Sequence, residues 1–478
     1  MIDERQLRAG LSRRDVLIGL GLAGAALGSA PLLSACGVGT SAPKSSSSGA
    51  AAVTGSFDWK KAKGKSIRVL RTPHAYVSSY DSLNLYKEFT DLTGIEVNVD
   101  DIPESDYFTK LTSELQGGGS AHEVFMTGAY FIWQYGPPGW MEDLTPWLKN
   151  SAATSADYDF EDIFEGLRTS TRWDFKNGSA LGNGGQFAIP WGFETNVVAY
   201  NKEVFDKRGI KPAETLDNLM QLAVDLTDRS KGTYGIAFRG SKSWATIHPG
   251  FMTQFTREGA KDYTVDGGKL TPVMNSDTAV TFTKKWVEMA KTAGPTGWTS
   301  YEYPQCTQDL ADGKAMMVYD ADSATYPKNK GTAVAGKLGW HPGPAGPDGS
   351  YATNLWIWSL AMNSAAKEEN KLAAWLFIQY CTSKEALNKA ATTGNFADPV
   401  RKSVFDGAFK TSIGDKYPGY VETFEKVIAS TKIQFTPQKK FFETTEDWAT
   451  AVQDIYGGQD AKTRLDALAK ATSDKVNA

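Results

Sequence analysis

The chain has 478 residues, of which 41% are hydrophobic and 22% are charged, and its formal net charge is −4. This length is enough for two or three domain cores, and the composition is ordinary for a soluble globular protein. A slightly acidic chain with no basic run after its N-terminal segment argues against nucleic acid as a partner. The three cysteines and four histidines form neither a disulfide framework nor a metal-ligand spacing, so we expect no metal and no cofactor.

The N-terminus is predicted to be an export signal, residues 1–36. Arg13 and Arg14 form a twin-arginine pattern, and an apolar stretch rich in Gly, Ala and Leu follows from Val16 to Pro31. Leu33-Ser34-Ala35-Cys36 then resembles a bacterial lipobox, although a chance tetrapeptide is the alternative. That resemblance implies a lipid on Cys36, which would anchor the protein to the outer face of the cell membrane.

Residues 37–65 are predicted to be a flexible tether, because residues 37–56 are Gly/Ser/Ala-rich and lack the apolar mass to fold. The folded body is expected to begin near Ser66.

The first half of the body alternates between strand and helix patterns. The predicted order is strand 67–70, loop 71–80, helix 83–93, strand 95–99, helix 106–115 and strand 124–127. This β-α-β-α-β order predicts a parallel sheet with right-handed crossovers. A ligand is then expected at the carboxyl ends of the strands, near the loops 74–80 and 128–133.

The stretch Pro190–Ile210 is interpreted as the point where the chain enters a second lobe. Pro190–Asn196 is predicted to be an aromatic, polar loop left in a crevice, and Val197–Tyr200 to be a strand. Asn201 is predicted to cap a helix that ends at Gly209. A buried aromatic turn before an ordinary strand is the alternative.

The remaining elements complete an α/β pattern. The prediction is helix 215–227, strand 234–238, helix 278–290, helix 307–313, strand 314–320, strand 354–361, helix 367–380 and further helices to about residue 469. Cys306 and Cys381 are expected to stay unpaired, because they fall in segments assigned to different lobes.

Several motifs resemble the extracellular solute-binding proteins of carbohydrate ABC importers, the maltose-binding-protein-like family 1. The motifs are NVVAYNKEVF, GIKPAETLDNL, GWMEDL, AWLFIQYCTSKEA and TGNFADPVRKS. Leu216 departs from the tryptophan that the family prefers. The resemblance covers about residues 66–470.

The resemblance implies a two-lobed, hinge-connected periplasmic-binding-protein-like fold of type II, with mixed, mainly parallel sheets and helices on both faces. Lobe 1 would comprise residues 66–193 and 350–400, and lobe 2 residues 194–349 and 401–478. VYDAD at 318–322 resembles the branch that binds sugar alcohols such as mannitol or sorbitol.

A neutral polyhydroxy ligand needs aromatic faces against its C–H surface and polar groups for its hydroxyls. The predicted cleft loops supply such groups at His74, Tyr76, Tyr130, Trp133, Trp191, Glu194, Arg239, Trp244, Asp320, Asn354, Trp356 and Asn395. Trp356 and Trp358 alternate on one strand, so one of them is expected in the core. Asp320 is expected to accept hydroxyl hydrogen bonds from the ligand, or else to cap the helix that follows it.

The expected function is therefore that of a lipid-anchored, monomeric binding protein, not an enzyme, with no catalytic residues. It would capture a small neutral sugar or sugar alcohol and deliver it to the membrane permease subunits of an ABC importer that has a separate ATPase. The alternatives are a secreted glycoside hydrolase and a ligand-sensing surface domain on the same fold. A hydrolase needs two carboxylates about 5–9 Å apart, and no signature pairs Glu194, Asp320 or Asp322 for that role.

Overall fold

One long strand is shared by the two halves of the main sheet. The computed structural model describes residues 48–477 apart from 394–397 and 415. Within it, Ile189–Asn201 (β6) runs for 13 residues. Its first half pairs antiparallel with Leu355–Met362 (β12), and its second half pairs antiparallel with Ala315–Ala321 (β10). The strand therefore crosses from one half of the sheet to the other.

The described residues form twelve strands. The others are Ser66–Arg71 (β1), Glu96–Asp101 (β2), Val124–Gly128 (β3), Arg172–Trp173 (β4), Gly185–Gln186 (β5), Tyr234–Ala237 (β7), Tyr263–Asp266 (β8), Lys269–Pro272 (β9) and Leu338–His341 (β11). The main sheet has the order β2-β1-β3-β12-β6-β10-β7, and β11 also pairs with β6. Two short hairpins, β4-β5 and β8-β9, lie outside it.

Helices connect the strands and pack against both halves of the sheet. They are Ser48–Ala52 (α1), Ala75–Ser82 (α2), Leu85–Thr93 (α3), Glu104–Gln116 (α4), Ala129–Tyr135 (α5), Thr145–Lys149 (α6), Glu165–Ser170 (α7), Lys202–Arg208 (α8), Leu216–Asp225 (α9), Trp244–Ile247 (α10), Gly250–Arg257 (α11), Asp277–Ala293 (α12), Tyr303–Ala311 (α13), Asp322–Thr325 (α14), Glu368–Cys381 (α15), Lys384–Thr393 (α16), Lys402–Val404 (α17), Lys410–Gly414 (α18), Tyr420–Ile428 (α19), Phe441–Tyr456 (α20) and Ala461–Val476 (α21).

The predicted parallel arrangement of the first three strands is confirmed. β1 pairs parallel with β2 on one side and with β3 on the other. The predicted helix start at Asn201 is also confirmed, since its side chain accepts a hydrogen bond from the Val204 amide at 3.2 Å. Gly209 ends that helix with φ 65°, in the left-handed region that favours glycine.

Two predicted loops are regular structure instead. Residues 75–80 of the expected loop 71–80 belong to α2, whose N-cap is His74. Pro190–Asn196 is part of β6 and not a crevice loop. The pairing of β6 with β12 shifts register here: Trp358 lies opposite Gly192 and Ser359 opposite Pro190, so Trp191 is the extra residue of a bulge.

Residues before Ser66 already contact the folded body, which corrects the predicted start of that body near Ser66. Ala50 in α1 is only 1% exposed. The Asn150 side chain donates to the carbonyl oxygens of Ala50 and Val53 at 2.7 and 2.9 Å. Part of the segment 48–65 thus packs on the body, while other residues in it, such as Thr54 and Gly55, are exposed. Cys36 and the predicted signal lie outside the described residues.

Cys306 and Cys381 are both buried and free, as predicted. No helix among the described residues combines the length and apolar character that a membrane span requires.

Candidate functional site

A cavity of about 760 Å³ lies where the two halves of the sheet meet. That volume falls within the range of about 300–1,000 Å³ that is usual for small-molecule sites. Its walls come from the carboxyl end of β1, the N-terminus of α4, β6, β12, the segment after β7, and the N-termini of α10 and α13. The lining residues are Pro73, His74, Ala75, Glu104, Ser105, Phe108, Glu194, Arg239, Ser243, Trp244, Ala245, His248, Glu302, Tyr303, Trp356 and Trp358.

Aromatic rings form much of the wall. Trp356 and Trp358 both line the cavity, with ring centroids 5.2 Å apart and planes at 82°. Both are also buried in the core, at 5% and 2% exposed, so the expected division into one core residue and one cavity residue is not seen. Residues two apart on a strand project from the same face. Trp244 lies 5.4 Å from Trp356, and Phe108 lies 6.2 Å from Trp358. These rings offer flat apolar surfaces to the C–H groups of a ligand.

A half-buried carboxylate lies at the foot of the aromatic wall. Glu194 projects from β6, and its Oε1 lies 3.4 Å from His74 Nε2 and accepts a hydrogen bond from Trp358 Nε1 at 3.3 Å. The His74 ring stacks on Tyr76, with centroids 4.6 Å apart. Glu194 is thus held by two neighbours while its side chain still faces the cavity, where it can accept hydrogen bonds from hydroxyl groups.

The guanidinium of Arg239 also lines the cavity, and hydrogen bonds to Asp320 hold it in place. Its Nε and Nη2 donate to the two carboxylate oxygens of Asp320 at 2.8 and 2.6 Å. Asp320 is 0% exposed, and it also accepts the Ala321 amide at 2.7 Å. Burial acts to lower the pKa of Arg239, but Asp320 outweighs it and raises that pKa, so the guanidinium stays charged. Asp320 therefore positions Arg239 and does not reach the cavity itself.

His248 is a buried, neutral group in the same wall. Its ring Nε2 lies 3.5 Å from Arg239 Nη1. Burial and the Arg239 charge hold the pKa of His248 well below its usual value. Among the described residues, its Nδ1 has no hydrogen-bond partner. That nitrogen is itself buried, with almost no surface open to the cavity.

Acidic and aromatic side chains surround the mouth of the cavity. Glu104 begins α4, Glu302 precedes α13, and Tyr303 is 40% exposed. The Arg239 guanidinium lies 5.5 Å from the centre of the Tyr303 ring. Glu104 is exposed to solvent on one side, but nearby protein removes part of the water around its carboxyl and, together with Glu194, raises the pKa of Glu104. This mouth can therefore contact a ligand with both a ring and carboxylates.

The structure brings five of the predicted site residues to the cavity. They are His74, Glu194, Arg239, Trp244 and Trp356. Asn395 lies outside the described residues. The remaining six, which do not line the cavity, are Tyr76, Tyr130, Trp133, Trp191, Asp320 and Asn354.

Two of these six are core residues. Trp191 is 1% exposed and packs edge-on against Tyr80 at 4.9 Å, because the bulge in β6 turns its side chain into the core. Trp133, on α5, is 1% exposed and packs against Phe441 at 5.1 Å. Both indoles fill space between elements and leave no face for a ligand.

Three more of the six lie directly behind the lining residues: Tyr76, Tyr130 and Asn354. The Tyr76 hydroxyl donates to the Phe193 carbonyl. Asn354 donates from Nδ2 to the Tyr130 hydroxyl at 2.9 Å and to the His248 carbonyl at 2.6 Å. These contacts orient the wall from behind.

The lining residues that sequence analysis missed include Glu104, Phe108, His248, Glu302 and Tyr303. Glu104 follows the carboxyl end of β2. Because ligands bind at the carboxyl ends of parallel strands, this position could have been predicted together with the loops after β1 and β3. In the part of the chain that the structure describes, no three metal-ligating side chains come together.

Comparison with known proteins identifies the family. The model of the bacterial extracellular solute-binding protein family matches residues 78–387. The chain belongs to this family. An erythritol/L-threitol-binding protein of Mycolicibacterium smegmatis is 66% identical over 472 residues, which cover 98% of this chain and 97% of that protein.

Solved structures of solute-binding proteins share the fold. The Agrobacterium radiobacter K84 protein in complex with ribitol superposes with a TM-score of 0.72 at 22% identity, over 86% of this chain and 99% of that one. The Agrobacterium vitis S4 protein with bound D-mannitol gives 0.70 at 21% identity, over 87% and 99%. This solute-binding protein therefore has the type II periplasmic-binding fold, as the resemblance implied.

Proposed function

We propose that this protein captures a small neutral sugar alcohol, a four-carbon polyol such as erythritol or threitol, and delivers it to an ABC importer. The observation that carries the proposal is the 66% identity to an erythritol/L-threitol-binding protein along nearly the whole of both chains. The aromatic and carboxylate lining of the cavity supports it, because a polyol presents both C–H faces and hydroxyls.

The proposed binding groups divide by chemistry. Trp244, Trp356 and Trp358 cover the carbon chain of the ligand, while Glu194 and Arg239 bond its hydroxyls. Charge-assisted hydrogen bonds of this kind are the stronger ones, worth about 1.5–3 kcal/mol each. Each of these groups is proposed to contact the ligand and none to react with it, so the proposed role is binding and not catalysis.

Delivery is proposed to depend on closure of two lobes about the ligand. The division is the one stated above, with residues 66–193 and 350–400 against residues 194–349 and 401–478. A ligand that contacts both lobes stabilises the closed state, whose shape a permease can distinguish from the open one. The ATPase and the permease subunits would be separate chains, and the binding protein would act as a monomer held at the outer face of the membrane by a lipid on Cys36.

A calorimetric titration with one pair of variants tests the proposal. Trp244→Ala removes a half-buried ring from the cavity, whereas Trp140→Ala removes an equally half-buried ring that does not line it. We expect erythritol or L-threitol to bind wild type, and Trp244→Ala to weaken binding about tenfold or more, which corresponds to about 1.4 kcal/mol. Trp140→Ala should keep the wild-type affinity. Tight binding of an amino acid or a peptide, with no binding of polyols, would refute the proposed function.

A further inference from the structure

Three carboxylates line the cavity, and each comes from a different element. Glu104 is the first residue of α4, Glu194 lies on β6, and Glu302 precedes α13. Glu104 and Glu302 are solvent-exposed at the mouth, whereas Glu194 is half-buried. The Glu302 carboxylate accepts a hydrogen bond from the Ser241 hydroxyl at 3.2 Å. Among the described residues, the Glu104 carboxylate has neither a hydrogen-bond nor an ion-pair partner.

The positive charge in the wall does not offset these carboxylates. Arg239 is the only lysine or arginine among the described residues that line the cavity, and Asp320 already pairs with the Nε–Nη2 edge of its guanidinium. His248 is neutral, because burial and Arg239 lower its pKa. His74, the remaining basic side chain, lies against Glu194 at 3.4 Å. A ligand carboxylate would therefore find no unpaired cation in this wall.

The negative charge of the neighbouring carboxylates affects the pKa of Glu104 at the mouth of the cavity. Partial loss of water raises the pKa of Glu104. His74 and Arg239 act to lower that pKa, but it is raised overall, also by Glu194 and, to a lesser extent, by Glu302. Another negative group placed among them would be repelled in the same way, and a positive group would be attracted. The aromatic rings reinforce the preference, since the face of Tyr303 or Trp356 attracts an ammonium group.

We propose that this cavity selects polyols by charge, with Glu104 and Glu302 excluding anionic derivatives such as aldonates and favouring amino-substituted polyols. The inference rests on the proposed function and adds a specificity that the identity of the relatives does not supply. It assigns the two glutamates at the mouth to discrimination, and leaves the binding of the neutral carbon chain to the aromatic wall.

Calorimetric titration of the full-length protein with three four-carbon ligands tests this inference. The ligands are erythritol, erythronate and 1-amino-1-deoxyerythritol, at pH 7.5 and low ionic strength. We expect erythronate to bind at least about tenfold more weakly than erythritol, and the amine to bind at least as tightly as erythritol. Raising the salt concentration should reduce both differences, because exposed charges are screened.

The double variant Glu104→Gln/Glu302→Gln should bring the affinities for the three ligands to within about threefold of one another. Glu288→Gln, at an exposed glutamate of α12 outside the cavity, is the matched control and should keep the wild-type ratios. Equal affinity of wild type for erythritol and erythronate would overturn the inference alone, as would an unchanged ratio in the double variant. If erythritol and other neutral polyols do not bind at all, the proposed function fails and the inference falls with it.

Discussion

The variant Asp320→Asn distinguishes three roles for this carboxylate, which sequence analysis placed in the binding site. The roles are positioning of Arg239, capping of the following helix, and direct contact with the ligand. In the structure Asp320 is fully buried and forms a bidentate pair with Arg239, at 2.8 and 2.6 Å. The Arg239 side chain is itself only 7% exposed. Removing one partner of a buried pair leaves an uncompensated charge and costs about 3–5 kcal/mol of unfolding free energy. Because Arg239 also lines the cavity, we expect polyol affinity to fall about ten- to hundredfold.

The other two roles predict different combinations of lost stability and lost polyol affinity. A helix cap would cost about 0.5–2 kcal/mol and leave affinity intact. The Asp320 side chain accepts hydrogen bonds from the adjacent Ala321 amide and from Arg239, the side chain that it is proposed to position. A direct ligand contact would reduce affinity with little loss of stability, but the side chain is fully buried behind Arg239.

Urea unfolding and calorimetric titration on the same variants give both numbers. The variant Arg239→Met/Asp320→Leu removes both charges, and should recover most of the stability lost in Asp320→Asn, because no buried charge remains unpaired. It should not recover binding. The assignment of Asp320 as the residue that positions Arg239 would be refuted by two results together. Asp320→Asn would lose less than about 1 kcal/mol of unfolding free energy, and it would bind the polyol with wild-type affinity.

Two further predictions concern backbone space and pH. Gly128→Ala should weaken polyol binding about tenfold, because a Cβ there would lie 2.3 Å from the Trp356 ring and must displace it. His122 bonds Glu114 and Asp100 at 2.8 and 2.7 Å; burial acts to lower the His122 pKa, but these carboxylates raise it. A raised histidine pKa stabilises the fold below the unfolded value of about 6.5 and stops doing so as pH rises through the folded value. His122→Gln should therefore cost more at pH 5.5 than at pH 9, by on the order of 1 kcal/mol.

The controls for these two predictions are direct. Gly118→Ala, at a glycine whose Cβ would meet nothing within 4 Å, should leave polyol affinity unchanged, whatever strain its φ of 66° introduces. Wild-type affinity in Gly128→Ala would contradict the first prediction. For His122, the loss of unfolding free energy measured by urea denaturation should depend on pH, and an equal loss at pH 5.5 and pH 9 would contradict the second.

The fold of the first half of the chain could be predicted because local patterns determine it. Alternating apolar residues identify β2, short apolar runs identify β1 and β3, and glycines and caps mark the helix ends. The long strand β6 could not be predicted as one element, since Pro190 and Gly192 look like loop residues. In the sheet, Gly192 is needed because a Cβ would lie 2.5 Å from the Tyr76 ring, and Pro190 lies beside the register shift.

The site was predictable where chemistry and position along a strand coincide. Trp356 on β12 and Glu194 on β6 were found in this way. Trp133 and Trp191 carry the same chemistry, but their exposure depends on tertiary packing that no local pattern reports. Glu302 and Tyr303 were missed because a segment without strand periodicity carries them to the mouth of the cavity.

A crystal structure of the protein with erythritol or L-threitol bound would test the proposed binding site. We expect the ligand inside the 760 Å³ cavity, with its carbon chain against Trp244 and Trp356 and its hydroxyls within about 3 Å of Glu194 and Arg239. A polyol bound elsewhere, or in the cavity without contact to these four side chains, would contradict this expectation.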